Sequence, residues 1–282
     1  MPCVETYVRT EKRNVARPTL SAVSSIQHVS LLLTQNRVFT ILRKLIRSTT
    51  LGVITTAIPS PTHPLILSSH LPWILDVDDE QSETELGSLR AHIARQNPQT
   101  QTMISAPQAA GNTSNVLEQE VLVLFTASHD HYITPNFYTE TKPKTGKVAP
   151  TWNYAAVKAY GTATIFYDSH LEETGKFLAH QLHDLSEHAK RSIMDYTGQG
   201  DRPEPWKVSD APERYIELPR KNIVGIEIVI HRLEGKFKMS QEMRKGDREG
   251  VVKGLERLDT DAARMVGAMV KERSELKEAA KM

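Results

Sequence analysis

Three adjacent residues that could form a ligand-binding wall, Trp152, Asn153 and Tyr154, stand in a β-rich stretch that ends near residue 167. Side chains alternate between the two faces of a strand, so Trp152 and Tyr154 share one face and Asn153 lies on the other. A flat apolar wall beside a hydrogen-bonding amide suits a planar ligand. The same residues could equally be core aromatics beside a turn-stabilising asparagine.

A basic cluster lies at the end of a strand predicted over residues 87–94. Arg90 and His92 share one face of that strand, and Arg95 and Asn97 follow it where a helix is predicted to begin. An arginine beside the free amides of a helix start can hold a phosphate. The alternative is a surface arginine with Asn97 as the helix cap, and the sequence alone leaves both open.

Two further groups of residues could bind a ligand, one through lysine and serine donors and the other through histidines. Lys236, Lys238 and Ser240 follow the last predicted strand and could donate to an anion or a carbonyl, or could be solvated residues at a strand end. His129 and His131 would share a strand face as a metal pair, but no third ligand with suitable spacing follows them. We therefore predict no metal site.

The composition excludes several classes of protein. A net charge of +1 over 282 residues gives no overall attraction to nucleic acid, and no DNA-recognition motif is present. A single cysteine, Cys3, excludes an intrachain disulfide and favours a reducing compartment. No apolar run approaches the roughly 20 residues of a membrane span, and no signal-peptide core is visible. We expect a soluble, cytoplasmic protein that binds neither membranes nor DNA directly.

The predicted strands are linked by short connections rather than by regular helices. Strands are predicted at residues 51–58, 65–76, 87–94, 120–125, 162–167 and 223–230, with a break at Pro72, and a long amphipathic helix is predicted at residues 169–194. This pattern favours an antiparallel barrel with packed helices over a parallel doubly wound sheet.

Seven short segments, taken together and in order, are similar to one known family. They are residues 69–72, 87–98, 147–154, 159–161, 205–206, 224–228 and 233–241. Over about residues 38–260 the chain resembles the PaiB family of FMN-binding split-barrel proteins, often called negative transcriptional regulators. The resemblance implies a mainly β, α+β fold: a six-stranded split barrel that dimerises and binds FMN at the subunit interface.

The resemblance also implies which residues hold the cofactor. Those at the end of the second barrel strand would line the flavin, those at the end of the third would hold its phosphate, and an aromatic group would reach the flavin from the second subunit. In that order the cofactor-binding residues are His70, Leu71 and Pro72; Arg90, His92, Arg95 and Asn97; and Trp152, Asn153 and Tyr154, with Lys238, Ser240 and Gln241 added near the last strand.

The chain departs from the family pattern in two places. Glu242 stands where such proteins usually carry Asn, and residues 12–36 look like an insertion. We therefore divide the chain into a poorly ordered extension (1–37), the split barrel (38–245) and a charged helical tail (246–282). The implied function is either an FMN-dependent oxidoreductase acting on a small molecule or a flavin-binding regulator or sensor. A haem-binding split barrel that uses His129 is the alternative.

Overall fold

The computed structural model describes residues 7–11, 38–109, 114–204 and 221–279. Its strands are β1 (Tyr7–Glu11), β2 (Leu51–Ala57), β3 (Ile66–Pro72), β4 (Ile74–Asp76), β5 (Ser88–Ala94), β6 (Val121–Thr126), β7 (His131–Ile133), β8 (Thr151–Phe166) and β9 (Ile223–Lys238). Its α-helices are α1 (Val38–Ser48), α2 (Pro98–Ala109), α3 (Thr141–Thr145), α4 (Glu172–His188), α5 (Lys245–Glu256) and α6 (Asp261–Ala279). A 3₁₀ turn spans Pro135–Phe137, and a π-helical turn, Ala189–Ile193, continues α4.

The strands form one curled antiparallel sheet in the order β3-β2-β6-β8-β9-β5-β4. Strand β1 pairs with the second half of β9, and β7 pairs with the start of β8. The chain passes from one edge of the sheet to the other at Pro72 and Trp73, where β3 ends and β4 begins. This half-barrel with packed helices confirms the predicted fold class.

Strands β3 and β5, which lie near opposite ends of the strand order, are joined by polar side chains at the start of α2. Asn97 Nδ2 donates to Ser69 Oγ on β3 at 3.2 Å. The buried side chain of Gln99 donates to the carbonyl of Leu67 at 3.0 Å. Since Asn97 follows β5 directly, these contacts hold the ends of β3 and β5 together across the opening of the barrel.

Burial alternates along β8, as expected for a strand with one face in the core. Ala155, Val157 and Ala159 are fully buried, and the residues between them are half-buried on the outer face. The register shifts between Tyr160 and Gly161, and a Cβ at Gly161 would lie 2.2 Å from the carbonyl oxygen of Val229. Glycine is therefore required at this bulge, where the backbone of β9 comes close to β8.

Helices α5 and α6, which the sequence presents as a charged tail, form a second hydrophobic core with β7, β8 and the end of β9. The buried residues of this core are Ile133, Tyr138, Ala155, Met239, Val251, Leu255, Ala263, Val266 and Val270. The domain boundaries at residues 37 and 245 stay predictions. Within the extension predicted to be poorly ordered (residues 1–37), Tyr7–Glu11 forms strand β1 and pairs with β9. The insertion predicted at residues 12–36 lies outside the described residues.

Two carboxylates cap helix starts reciprocally: Asp247 of α5 caps α3, and Glu140, which precedes α3, caps α5. Asp247 accepts hydrogen bonds from the backbone N–H groups of Glu140 and Thr141, at 2.8 and 3.0 Å, and from the Thr141 hydroxyl. Glu140 Oε2 in return accepts from the N–H of Gly246 at 3.1 Å. The start of α3 and the start of α5 are thus fastened to each other.

Replacing Asp247 with alanine should lower the free energy of unfolding by about 2 kcal/mol, because two backbone donors lose their acceptor. Burial would raise the pKa of Asp247, but the hydrogen bonds from Thr141 and Glu140 outweigh it and the pKa is lowered. Its stabilisation is therefore complete above an unfolded-state pKa of about 4 and is lost as the pH falls through the lower folded-state value.

Urea unfolding of both proteins between pH 7 and pH 3 measures this effect. Glu249→Ala is the matched control on α5, because Glu249 is exposed and pairs only loosely with Lys245 at 3.9 Å. We expect that control to change stability by under about 0.5 kcal/mol. An Asp247→Ala loss as small as that of the control would show that the mutual caps contribute nothing.

Candidate functional site

Five side chains on β7, β8 and β9 form an outward-facing surface, which we call the aromatic–lysine face: Tyr132, Trp152, Tyr154, Lys236 and Lys238. Tyr132 is paired with Trp152, and Tyr154 is paired with Lys238. Directly paired residues of an antiparallel sheet project to the same side, and so do residues two apart on one strand. The sheet therefore gathers all five side chains on one side.

The aromatic residues of this face are unusually open to solvent. Trp152 is 55% exposed and Tyr132 is 44% exposed, and their rings meet edge to face at a centroid distance of 6.0 Å. The ammonium of Lys236 lies 5.5 Å from the centre of the Tyr154 ring. Exposed aromatic rings of this size provide a surface on which a planar ligand can stack.

Lys238 combines burial with the lack of a direct ion-pair partner among the described residues. Its side chain is 8% exposed, yet it makes no hydrogen bond or salt bridge with any residue that the structure describes. Its charge acts on Glu242, whose pKa is raised by burial while Lys238 and Lys277 oppose that rise. The lysine stem is thus covered by protein while its charge has no paired anion among the described residues, so an anionic ligand here would supply one.

The opposite side of β8 holds three of the predicted cofactor residues in internal contacts. Asn153 is fully buried, and its Nδ2 donates to Ser240 Oγ at 3.0 Å. Gln241 accepts from the N–H of Met239 at 2.6 Å and donates to the carbonyl of Phe237. Asn153, Ser240 and Gln241 therefore shape the turn after β9, and their polar groups point into the protein.

Residues 70–72 end β3 on the far side of the sheet. His70 is exposed on the outer face, Leu71 belongs to the core and Pro72 is half-buried opposite Leu51. His70 stands in one cross-strand row with Lys158 of β8, three strands away. With strands about 4.8 Å apart and four further residues of about 3.3 Å each to Tyr154, His70 lies roughly 20 Å from the aromatic–lysine face. A single chain does not bring these two groups together.

Arg90 forms an ion-paired cluster beneath helix α4. It contacts Asp76 through two nitrogens and Asp184 of α4 at 2.8 Å. Hydrogen bonding to Asp76 raises the pKa of Arg90 against the opposing effect of burial. Two carboxylates already face this guanidinium, so a phosphate would meet negative surroundings here. The geometry makes Arg90 an anchor for α4.

The interface between β5 and α4 also contains buried polar atoms with no hydrogen-bond partner among the described residues. They are both amide atoms of the fully buried Gln181, His92 Nδ1 and Arg90 Nη1. Burial lowers the pKa of His92. Such atoms are normally satisfied by protein or by ordered water. The predicted role of His92 toward the phosphate stays a prediction.

Arg95 and Asn97 are engaged with the chain itself. Arg95 donates to the carbonyl of Lys221 at 3.1 Å and to that of Tyr167. Asn97 Oδ1 accepts from the N–H of Gln99 at 2.8 Å, the contact expected of a helix cap. The capping alternative considered for Asn97 is therefore the one that the structure shows, and both side chains support the barrel edge.

Two residues of the aromatic–lysine face were not among the predicted cofactor residues. Tyr132 lies in β7, a three-residue strand that the sequence presents as an irregular aromatic-rich segment. Lys236 appeared only as one of several lysines after the last strand. The pairing register of the strands would have identified both residues as part of this face. The local sequence does not determine that register.

Within the described ranges, no group of three or more His, Cys, Asp or Glu side chains could hold a metal ion. None of the described helices is both long and apolar enough to span a membrane.

The antiparallel half-barrel, with an exposed aromatic surface beside a lysine that has no ion pair among the described residues, has the features of a flavin-binding split barrel. Residues 35–232 match the sequence model of the family described as "Putative FMN-binding domain". That match covers most of the chain, so the protein belongs to this FMN-binding family. FMN is the cofactor of this family. Its planar ring and its phosphate suit the aromatic and cationic groups described above.

Relatives extend from fungi to bacteria. The chain is 53% identical over 247 residues to an uncharacterised protein of Aspergillus fumigatus, covering 84% of this chain and 94% of that protein. It is 24% identical over 208 residues to the protease synthase and sporulation protein PAI 2 of Bacillus subtilis, covering 73% and 81%. A pyridoxamine 5′-phosphate oxidase-related FMN-binding protein from Nostoc punctiforme aligns with a TM-score of 0.35 at 11% identity, covering 71% and 83%.

Proposed function

We propose that two copies of this chain bind FMN between them, with the aromatic–lysine face of one copy opposite residues 70–72 of the other. The observation that carries this proposal is Lys238, a nearly buried cation with no partner among the described residues, beside the exposed ring of Trp152. Two copies are needed because His70 and Tyr154 lie roughly 20 Å apart within one chain. A symmetric dimer brings the two groups together at two equivalent sites, once at each.

The residues present suit the cofactor. Trp152 and Tyr132 offer aromatic surface to a planar ring, and Lys238 offers a positive charge to an anionic group. Bound FMN supplies reversible electron transfer, and the protein supplies orientation, electrostatics and exclusion of water. His70 is exposed and Tyr154 is half-buried, and we propose that these two groups exchange a proton with a small-molecule substrate.

The proposed activity is that of an FMN-dependent oxidoreductase acting on a small molecule. A second candidate is a PaiB-type flavin sensor that affects transcription indirectly, and the similarity to the sporulation protein PAI 2 supports it.

The visible spectrum of the purified protein, followed by addition of NADH or NADPH under air, tests the proposal. We expect a flavin spectrum, one FMN per chain and a dimer in analytical ultracentrifugation. Steady oxidation of the nicotinamide supports the oxidoreductase, and bound flavin without turnover supports the sensor. A haem band would overturn the flavin assignment, and a monomer that binds FMN fully would overturn the shared site.

A further inference from the structure

The turn that follows β9, residues 239–244, is held by two cations from the C-terminal helices. Lys277 of α6 donates to the carbonyl of Gln241 at 2.6 Å. Arg248 of α5 donates to the carbonyl of Met243 at 2.7 Å. Charge-assisted hydrogen bonds to carbonyls are stronger than neutral ones, so the path of this turn depends on both helices.

Arg248 is itself fixed by α6. It is 1% exposed and donates to Ser274 Oγ at 2.8 Å and to the carboxylate of Glu278. One face of α5 and α6 is buried in the second hydrophobic core. The two cations therefore reach the turn from a rigid support.

The turn has a conformation that needs such support. Ser240 has φ +57°, in the left-handed region that residues other than glycine seldom adopt, and it is fully buried. A residue stays in that region when its surroundings over-determine it. Here the Asn153 side chain holds it from β8, and the carbonyl contacts hold the turn from α5 and α6.

Lys238 and Trp152 are each adjacent in sequence to a residue that forms or holds this turn. Lys238 precedes the turn by one residue, and Trp152 is adjacent to Asn153, which bonds Ser240. A shift of the turn therefore moves both groups that the proposed flavin site uses.

We propose that Lys277 and Arg248 are positioning residues of the flavin site, so that the C-terminal helices are part of that site although they do not touch the cofactor. This inference rests on the proposed function. The charged sequence of α5 and α6 does not suggest this positioning role. The role depends on two cations that donate to backbone carbonyls inside the protein.

Lys277→Met in the full-length dimer tests the proposal, with FMN affinity measured by flavin-fluorescence titration. Removing the contact to Gln241 should weaken FMN binding about tenfold. Lys277→Arg retains a cationic donor and should restore most of the affinity. Lys271→Met is the matched control, because Lys271 is exposed on the same helix and should leave affinity unchanged.

Hydrogen exchange of the peptide over residues 237–245 provides a readout that does not need FMN. Lys277→Met should increase exchange there, and Lys277→Arg should not. Native affinity in Lys277→Met would overturn the positioning role while leaving the flavin proposal intact. A native protein that fails to bind FMN would instead overturn the proposed function, and the two failures are therefore distinguishable.

Discussion

Replacing Lys238 with methionine should weaken FMN binding by ~10- to 100-fold, because a charge-assisted contact of about 1.5–3 kcal/mol is lost. The same change should leave the flavin-free protein as stable as the native one or more stable. Lys238 is 8% exposed and forms no salt bridge with a described residue, and methionine packs a similar volume of apolar stem in the same place. Binding and stability are therefore expected to move in opposite directions.

Flavin-fluorescence titration and thermal unfolding of the flavin-free protein together measure the two effects. Lys253→Met on α5 is the control, since Lys253 is exposed and lies outside the aromatic–lysine face. We expect it to alter neither quantity appreciably. A marked loss of stability in Lys238→Met would mean that the lysine has a structural partner, and unchanged FMN affinity would remove it from the site.

Replacing Arg90 with methionine should lower the free energy of unfolding by about 3 kcal/mol, because Asp76 and Asp184 lose their shared cation. Both carboxylates are partly exposed, so the loss should lie at the lower end of the range for buried pairs. Burial raises the pKa of Asp184, but Arg90 first, then His183 and His180, outweigh it and the pKa is lowered. The contribution of this pair to stability is therefore lost as the pH falls through that lowered value.

Urea unfolding at pH 7 and at decreasing pH measures the Arg90 effect. Lys176→Met is the control on the same helix, because Lys176 and Glu172 form an exposed ion pair at 2.7 Å whose contribution should be under about 0.5 kcal/mol. Amide hydrogen exchange in α4 should become faster in Arg90→Met and should stay unchanged in the control. Equal stability losses in the two variants would show that Arg90 does not anchor α4.

The barrel strands were predictable because they are short runs rich in β-branched and other apolar residues, which favour strands. Residues 51–58 and 120–125 were predicted as strands, and β2 and β6 lie there. The last strand is longer than predicted: it continues from residue 230 to Lys238. Its second half alternates charged and uncharged residues and therefore resembled a polar connection, although Glu234 and Lys238 are buried in the folded chain.

The candidate site was less predictable, because it depends on contacts between distant residues. Arg90 was included among the predicted cofactor-binding residues, and nothing near it in the sequence indicates its contact with Asp184, 94 positions away. Asn97 was recognisable as a helix cap, since that role is local. Trp152 and Tyr154 were identified as a possible ligand wall from alternation, whereas their neighbours Tyr132 and Lys236 follow from register alone.

The position of β9 has a consequence for how the protein is made. This strand is the last in the described sequence order, yet it lies between β8 on one side and β5 and β1 on the other. During synthesis from the N-terminus, the β2–β3–β6–β8 group and the β4–β5 pair emerge with unpaired edges before their common partner exists. Completion of the sheet thus waits until residues 223–238 have left the ribosome.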